Sequence, residues 1–178
     1  MKVLLLNGNP HQQNKKFDEW LDQLAAKLVE GGSEVSAVKL REKKIAFCIG
    51  CFSCWIKTPG ICVHNDDMPT ILAGYVTADV AVFASPLVMG NISYQLKAVQ
   101  ERLLPMALPY LYIKDDRMQH PPRYDKTPAV ALLLGENENA QEVAVVEKIF
   151  TASKSRNNLF VKTMNADISE VARAIGGI

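Results

Sequence analysis

The sequence has little that marks an exported, membrane-bound or nucleic-acid-binding protein. Its 20 lysines and arginines nearly balance 19 aspartates and glutamates, and the formal net charge is +1. That balance gives no electrostatic attraction to nucleic acid or to an acidic membrane. No apolar run reaches the roughly 20 residues that cross a bilayer. The first ten residues lack the length and the cleavage site of a signal peptide. We therefore expect a cytoplasmic protein with no nucleic-acid or membrane partner.

Cysteine is scarce and unevenly placed. The chain of 178 residues has four cysteines, and all of them fall within one short segment, at Cys48, Cys51, Cys54 and Cys62. In a reducing compartment a structural disulfide framework is not expected. Such clustering indicates metal binding or redox chemistry instead.

Strand and helix patterns alternate about five times along the chain. Short apolar runs, of which residues 3–6 and 79–84 are clear examples, predict buried parallel strands. Apolar residues at spacings of three and four predict amphipathic helices between them. The sequence thus predicts one α/β domain over residues 1–178, with a parallel sheet covered by helices on both faces. It also predicts a cysteine-rich loop at 45–65 and a long loop at 105–127.

The loop between the first strand and the first helix is rich in polar side chains. In such folds ligands bind beyond the carboxyl ends of the strands. The unpaired N–H groups and the positive dipole end of a helix N-terminus suit a phosphate there. Neither a Walker loop nor a G-x-G-x-x-G fingerprint is present, so an ordinary polar turn is an equal alternative. The candidate phosphate-binding residues are Asn9, His11, Asn14, Lys15 and Lys16.

Two further strand-end loops are placed to contact a ligand, and the backbone N–H groups of the first could face a planar heteroaromatic ring. The loop after the third strand contains Gly90, which allows close approach between backbone and ligand. Judged by its residues alone, a plain loop before an amphipathic helix is the stronger interpretation. The loop after the fourth strand begins at Gly135. The candidate ring-flanking residues are Ser85, Pro86, Leu87, Val88, Met89, Gly90, Asn91, Gly135 and Glu136.

The cysteines follow the spacing C-x2-C-x2-C-x7-C. This spacing lets one backbone turn present several thiolates to a single centre, as an iron–sulfur cluster requires. Four thiolates also satisfy the tetrahedral shell of zinc. A metal-free loop is a third interpretation, with packed or reversibly oxidised thiols, because free cysteine packs as a small hydrophobe. The residues leave all three open.

The chain resembles the NAD(P)H-dependent FMN reductases and flavodoxin-like oxidoreductases, including the iron–sulfur flavoproteins. Five residues match the family's Ser-Pro and Gly flavin loop and the Lys and Arg that follow it: Ser85, Pro86, Gly90, Lys97 and Arg102. The resemblance implies a flavodoxin-like three-layer sandwich whose five-stranded parallel sheet has the order 2-1-3-4-5, with FMN at the strand ends. It further implies a [4Fe–4S] cluster on the four cysteines. A homodimer or homotetramer would complete the flavin sites.

Several residues depart from the family pattern. Asn9 stands for the usual Ser and His11 for the usual Arg of the phosphate loop, and Lys15 and Lys16 stand where Asn and Thr often occur. Val88 and Met89 replace the aromatic pair beside the flavin, and Glu101 replaces the Asp before Arg102. These departures predict weaker FMN binding than is typical, which the two lysines would offset by their charge.

The expected function is an FMN-dependent NAD(P)H oxidoreductase that passes electrons to a small-molecule or protein acceptor. No side chain is assigned a catalytic role, because the flavin carries the chemistry. The alternatives are a flavodoxin-like electron carrier without its own NAD(P)H activity, and a metal- or redox-sensing module on the same fold.

Overall fold

A five-stranded parallel sheet forms the centre of the computed structural model, which describes residues 1–114, 116–152 and 158–177. The strand order is β2-β1-β3-β8-β9, so the predicted order 2-1-3-4-5 is confirmed. The strands of this sheet are β1 (Lys2–Asn7), β2 (Glu34–Lys39), β3 (Val80–Ser85), β8 (Ala129–Leu134) and β9 (Asn158–Thr163).

The three central strands are buried along almost their whole length. Every residue of β3 and β8 is buried, and in β1 only Lys2 is exposed. Continuous apolar strands of this kind are stable only when both faces of the sheet are covered. The register pairs Val3 with Val80 and Val80 with Ala129, which brings the carboxyl ends of β1, β3 and β8 to one edge.

Helices cover both faces of the sheet. Leu4 and Leu6 of β1 point into one apolar core and Val3 and Leu5 into the other, as the alternation of side chains along a strand requires. Helices α3, α4 and α5 bury side chains in the first core, and α1 and α6 in the second. Their bounds are α1 (Lys15–Glu30), α3 (Met68–Thr77), α4 (Tyr94–Glu101), α5 (Ala140–Ala152) and α6 (Ile168–Gly176).

The segments that the sequence analysis treats as loops contain short elements of their own. A four-residue helix, α2 (Ser53–Ile56), lies within the cysteine segment. A hairpin of β4 (Leu87–Val88) and β5 (Asn91–Ile92) follows β3. The 105–127 segment holds a second hairpin, formed by β6 (Tyr112–Lys114) and β7 (Arg117–Gln119). This segment is therefore more ordered than a plain loop.

Gly8 directly follows β1, at a point where its backbone closely approaches that of β3. Its N–H donates to the Ala84 carbonyl at 2.7 Å. A Cβ at this position would lie 2.9 Å from that oxygen and 3.0 Å from the Ser93 hydroxyl oxygen. The chain therefore needs a glycine here. Over the described ranges, no helix is both long and apolar enough to cross a membrane.

Candidate functional site

Asn9 organises the β1–α1 loop from inside. The residue is fully buried. Its Nδ2 donates to the Asn14 carbonyl and to Asp18 Oδ1, both at 3.0 Å, and its Oδ1 accepts from the His11 N–H at 3.1 Å. The predicted phosphate ligand Asn9 thus directs its side chain into the loop, where it holds the loop's shape.

Asp18 and Arg41 fix the base of the same loop. The Arg41 guanidinium donates to both carboxylate oxygens of Asp18, at 3.1 and 2.7 Å, and Asn7 Nδ2 donates to Oδ1 at 2.8 Å. Burial alone would raise the pKa of Asp18, but the hydrogen bonds from Arg41, Asn9 and Asn7 outweigh it and lower the pKa. The carboxylate is therefore held ionised as the centre of a buried polar network.

Three strand-end loops meet at one cleft of about 460 Å³, which we call the strand-end cleft. Five predicted site residues line it: Asn14, Lys16, Pro86, Gly135 and Glu136. They come from the β1–α1 loop with the first turn of α1, from the end of β3, and from the end of β8. The volume lies within the range of about 300–1,000 Å³ that is usual for ligand pockets.

Glu138 also lines this cleft, and sequence reasoning missed it. Its Oε1 accepts a hydrogen bond from the Leu87 N–H at 2.8 Å, joining the β8–α5 loop to the β4–β5 hairpin. A Cβ on Gly135, which follows β8, would displace this flexible carboxylate from its place beside the Leu87 N–H. No local pattern in the sequence reveals a contact between residues 51 positions apart.

The β4–β5 hairpin projects its tip into solvent. Met89 and Gly90 have φ values of 51° and 74°, as the central residues of a type I′ turn do. Met89 is fully exposed, and Val88 is 38% exposed. Asn91 accepts from the Ile92 N–H through its own Oδ1. The tip thus offers apolar side chains where the family pattern has aromatic ones.

Ser85 faces inward at the base of this hairpin. It is fully buried, and its hydroxyl oxygen accepts from the Ser93 N–H at 2.7 Å while the hydroxyl donates to the Pro86 carbonyl at 2.7 Å. Ser93 in turn caps α4 by accepting from the Leu96 N–H. Ser85 therefore positions the hairpin against α4.

The remaining two predicted phosphate-loop residues lie apart from the strand-end cleft. Lys15 is exposed and lines neither the strand-end cleft nor the second cleft described next. His11 lines a second cleft of about 370 Å³, formed with Arg41, Lys43, Tyr94 and other residues. We call this second space the basic cleft. The structure thus divides the five predicted phosphate ligands between two clefts, the loop interior and the surface.

The four cysteines are free thiols that share one neighbourhood. Cys51 is exposed, Cys54 is buried, and Cys48 and Cys62 are half-buried. Burial first, and then the charges of the other three cysteines, raise the pKa of Cys54. Their sulfurs therefore lie close enough to influence one another. In the described part of the chain, no group of three or more His, Cys, Asp or Glu side chains is arranged to hold a metal ion. The four sulfurs therefore do not converge on one point.

A buried ion pair closes the base of the cysteine segment. Asp66 accepts from the Ala46 N–H at 2.8 Å and from the Met68 N–H at 3.1 Å. Arg102 donates to both carboxylate oxygens and to the Ala46 carbonyl. Burial opposes ionisation of Asp66, but Arg102 and the two N–H groups lower its pKa to about 2. We call this arrangement the Asp66–Arg102 clasp.

Trp55 anchors the middle of the cysteine segment to the rest of the domain. Its indole N–H is shared between the Leu104 and Ala107 carbonyls, at 3.1 and 3.0 Å. Its ring also lies 4.8 Å from that of His120 and 5.5 Å from that of Phe52. These contacts give Trp55 a packing role.

The sequence matches the family of NADPH-dependent FMN reductases over residues 1–146, well over half of the chain. The chain belongs to this family. The matched range includes all three loops of the strand-end cleft and the whole cysteine segment. The resemblance inferred from the sequence is therefore confirmed.

Two relatives of this FMN reductase family member are iron–sulfur flavoproteins. One, from Methanocaldococcus jannaschii, is 34% identical over 102 residues, and one from Archaeoglobus fulgidus is 33% identical over 105 residues. The alignments cover 57% and 59% of this chain, and 50% and 46% of the relatives. The chain thus spans about half the length of the curated relatives it matches.

Solved structures share the fold at low sequence identity. The NAD(P)H:quinone oxidoreductase from Methanothermobacter marburgensis has a TM-score of 0.67 and 16% identity, covering 99% of this chain and 94% of that one. An FMN-dependent NADH-azoreductase from Bacillus anthracis, solved with FMN, has a TM-score of 0.59 and 14% identity, covering 99% and 95%. These likenesses confirm the flavodoxin-like architecture.

Proposed function

We propose that the protein binds FMN in the strand-end cleft and acts as an oxidoreductase that draws electrons from NAD(P)H. One observation carries the proposal. Asn14, Lys16, Pro86, Gly135 and Glu136, selected from sequence as flavin-binding residues, line a single cleft at the carboxyl ends of β1, β3 and β8. This edge is where doubly wound sheets bind their ligands.

Lys16 and the start of α1 give the cleft one basic end that suits the phosphate of FMN, whereas Glu19, Glu136 and Glu138 make the rest of its lining acidic. Asn14 and Lys16 stand at the start of α1, where unpaired backbone N–H groups and the helix dipole favour a phosphate. Pro86 forms one wall of the cleft and the turn that begins at Gly135 forms another, while the β4–β5 hairpin lies outside the lining. Bound FMN would supply the hydride- and electron-transfer chemistry.

The protein's own contribution would be positioning. The Asp18–Arg41–Asn9 network sets the shape of the phosphate loop before any ligand arrives. Ser85 and Ser93 hold the hairpin against α4. Preorganised loops of this kind reduce the entropy lost on binding. The exposed Val88 and Met89 would cover the ring with apolar surface in place of the aromatic pair.

The test compares two adjacent lysines, of which only Lys16 lines the cleft. We expect Lys16→Gln to weaken FMN binding by about fivefold, because one phosphate contact is lost. Lys15→Gln is the matched control and should change FMN affinity little. Equal effects of the two substitutions on the FMN Kd, measured by quenching of flavin fluorescence, would contradict the assignment of the cleft.

The electron donor is tested on the same FMN-loaded protein. Under anaerobic conditions, addition of NADPH or NADH should reduce the bound FMN. The visible flavin bands should then bleach on the time scale of a turnover assay. If only dithionite bleaches them, the protein is an electron carrier without its own NAD(P)H activity. If FMN does not bind at all, the flavoprotein proposal fails, and the sensing-module alternative remains.

We further propose that Cys48, Cys51, Cys54 and Cys62 hold a [4Fe–4S] cluster close to the flavin. Four thiolates are the donor set of such clusters, and all four cysteines fall within residues 48–62. The relatives that align with this region are named iron–sulfur flavoproteins. Binding would require the sulfurs to converge further than they do in the metal-free chain.

Metal analysis of anaerobically purified protein tests the cluster. We expect about four irons and little zinc per chain, with a broad visible shoulder that Cys48→Ala and Cys62→Ala both remove. One zinc per chain would favour the structural-zinc alternative. If the protein holds no metal after anaerobic iron–sulfur reconstitution, the interpretation that remains is a metal-free loop with packed or reversibly oxidised thiols.

We also propose that the protein works in the cytoplasm as a homodimer or homotetramer and passes electrons to a small-molecule or protein acceptor. Large apolar side chains are exposed on the cysteine segment, at Phe47, Ile49 and Phe52, and on the β6–β7 hairpin, at Ile113 and Met118. Apolar side chains grouped in this way favour an interface. Light scattering after size exclusion should give a mass of two or four chains.

A further inference from the structure

A cavity of about 400 Å³ lies between the β6–β7 hairpin and α3, and we call it the hairpin pocket. Buried side chains of α3 and of the segment after α4 line one side of it, at Tyr75, Leu103 and Met106. The β6–β7 hairpin and the chain that follows it line the other side. The volume is in the range of about 300–1,000 Å³ that is usual for ligand pockets. None of the described residues lines both this pocket and the strand-end cleft.

Backbone contacts hold the two sides of the hairpin pocket together. The Leu108 N–H donates to the Pro121 carbonyl, and the Arg123 N–H donates to the Met106 carbonyl, both at 2.8 Å. The Arg123 Nε also donates to the Pro105 carbonyl at 2.8 Å. The pocket is therefore preformed, which reduces the entropy that is lost when a ligand binds.

The lining of the hairpin pocket is uncharged. None of the described residues around it is an Asp, Glu, Lys or Arg. In contrast, Lys16 and three glutamates line the strand-end cleft, and Arg41 and Lys43 line the basic cleft. Moving a charged ligand out of water without a counter-charge is costly. The hairpin pocket therefore favours a neutral ligand over FMN or a pyridine nucleotide, which carry phosphates.

Aromatic rings and thioethers give the hairpin pocket its apolar surface. Three rings and two methionines line it, at Tyr75, Tyr112, His120, Met106 and Met118. Aromatic rings pack well against other flat molecules, and methionine adapts its shape to fill the remaining gaps. A small aromatic molecule suits this lining.

His120 presents one polar atom whose hydrogen-bonding role is fixed. Its Nδ1 lies 3.0 Å from the Leu108 carbonyl oxygen and 2.9 Å from the Tyr110 carbonyl oxygen. Because carbonyl oxygens only accept, Nδ1 carries the proton, and the neutral ring keeps a lone pair on Nε2. Among the described residues, none donates to this Nε2. A neutral hydroxyl group on the ligand would supply the missing donor.

We propose that the hairpin pocket binds a small, neutral aromatic molecule that carries a hydroxyl group. The aromatic ring would pack against Tyr112 and Met118, and the hydroxyl would donate to His120 Nε2. The His120 ring lies 4.8 Å from that of Trp55, so the ligand would contact the cysteine segment through these two rings. The inference goes beyond the proposed function, because it needs neither bound FMN nor a metal on the cysteines.

NMR of the indole N–H groups locates the ligand. The chain has two tryptophans, of which Trp55 packs on His120 and Trp20 lines the strand-end cleft. Titration with 2-naphthol should shift the Trp55 signal and leave the Trp20 signal in place, with Trp20→Phe assigning the two. The same shift should occur in protein saturated with FMN. No shift of the Trp55 signal, or a shift of Trp20 alone, would overturn the inference. Failure of FMN to shift Trp20 would count against the proposed function only.

The ligand 2-methoxynaphthalene tests the hydrogen bond to His120. It has the same two rings but no donor, so calorimetry should show that wild-type protein binds it about tenfold more weakly than 2-naphthol. His120→Phe keeps a ring beside Trp55 but removes the acceptor, and it should make the two affinities equal. A preference for 2-naphthol that survives this substitution would overturn the assigned contact.

Two tyrosines of the same segment provide the matched control. Tyr112 lines the hairpin pocket, and the exposed Tyr110 does not. Tyr112→Ala should weaken 2-naphthol binding by about fivefold, because one packing ring is lost. Tyr110→Ala should change the affinity little, since it leaves the carbonyl that faces His120 in place. Equal effects of the two substitutions would mean that the ligand binds elsewhere and would overturn the inference.

Discussion

The β1–α1 loop and the cysteine segment both follow strands of the sheet, yet different parts of each are held. In the β1–α1 loop the fixed part is the interior, where Asn9 and Asp18 make hydrogen bonds with backbone and side chains. In the cysteine segment the fixed parts are the base, at the Asp66–Arg102 clasp, and Trp55 in the middle. Between the two ends of that segment, Phe47, Ile49 and Ile61 stand exposed.

The two regions differ in whether their shape is set before a ligand binds or depends on the ligand. The β1–α1 loop has its polar groups paired within the chain, so its form does not require a ligand. The cysteine segment has free thiols and exposed apolar side chains, so we expect its shape to respond more to a bound metal or a neighbouring subunit. Substitutions in the two regions should therefore differ in their effects on stability and on FMN affinity.

Removal of the clasp should have the largest effect. Asp66→Ala leaves Arg102 buried without its counter-ion, and we expect a loss of about 3–5 kcal/mol in the free energy of unfolding. FMN affinity should change little, because the clasp lies outside the strand-end cleft. Urea denaturation and FMN titration measure the two quantities. Asp67→Asn, next to it, is the control, and a loss below about 1 kcal/mol for both variants would remove the distinction.

Removal of the Asp18 charge should affect stability and binding together. Asp18→Asn leaves the largely buried Arg41 guanidinium with only Glu42, 3.9 Å away, as an anion, for an expected loss of about 2 kcal/mol. It should also weaken FMN binding, because the loop is then held less firmly against Arg41. Asp22→Asn, on the exposed side of α1, is the control. Lower stability with unchanged FMN affinity would show that the network does not preorganise the loop.

Acid should weaken the clasp in a defined pH range. The pKa of Asp66 is about 2 in the folded protein, below the ordinary value of 3.8, so ionised Asp66 stabilises the fold. The full stabilisation, about 2 kcal/mol, is present above roughly pH 5 and is lost as the pH falls toward 2. Unfolding free energies between pH 6 and 2.5 should show this slope, and Asp66→Asn should reduce it. The same slope in both proteins would assign it to other carboxyl groups.

Removal of the Glu138 charge should give the smallest change. Glu138→Gln keeps an acceptor for the Leu87 N–H but takes a negative charge from the cleft proposed for FMN. We expect FMN to bind about fivefold more tightly, or about 1 kcal/mol, and the flavin potential to rise. Fluorescence titration and spectroelectrochemistry measure both, with Glu147→Gln on α5 as the control. Weaker binding would mean that the charge itself positions the flavin.

The fold could be predicted because its main signals are local. β1, β3 and β8 are continuous apolar runs, and the helices between them carry regular apolar spacing. The loops at the carboxyl ends follow from that pattern, and with them five of the residues that line the strand-end cleft. The hairpin of β6 and β7 was not predicted, because prolines and charges hide its short strands.

The polar contacts that shape the site could not be predicted, because their partners are far apart in sequence. Arg102 and Asp66 are 36 residues apart, and Arg41 and Asp18 are 23 apart. Asp66 looks like a helix-capping residue from its neighbours, and it does accept from the Met68 N–H, but its larger role depends on α4. Only the packed structure shows which buried charges meet.

Helix α4 joins the β4–β5 hairpin to the clasp as a spacer of fixed length. Its N-cap is Ser93, which holds the hairpin, and its last turn leads directly to Arg102 of the clasp. The rise of 1.5 Å per residue sets about 13.5 Å along the helix axis between Ser93 and Arg102. One inserted residue would lengthen the spacer and rotate Arg102 by about 100° away from Asp66. Loop insertions in either region are therefore easier to accommodate than any change in the length of α4.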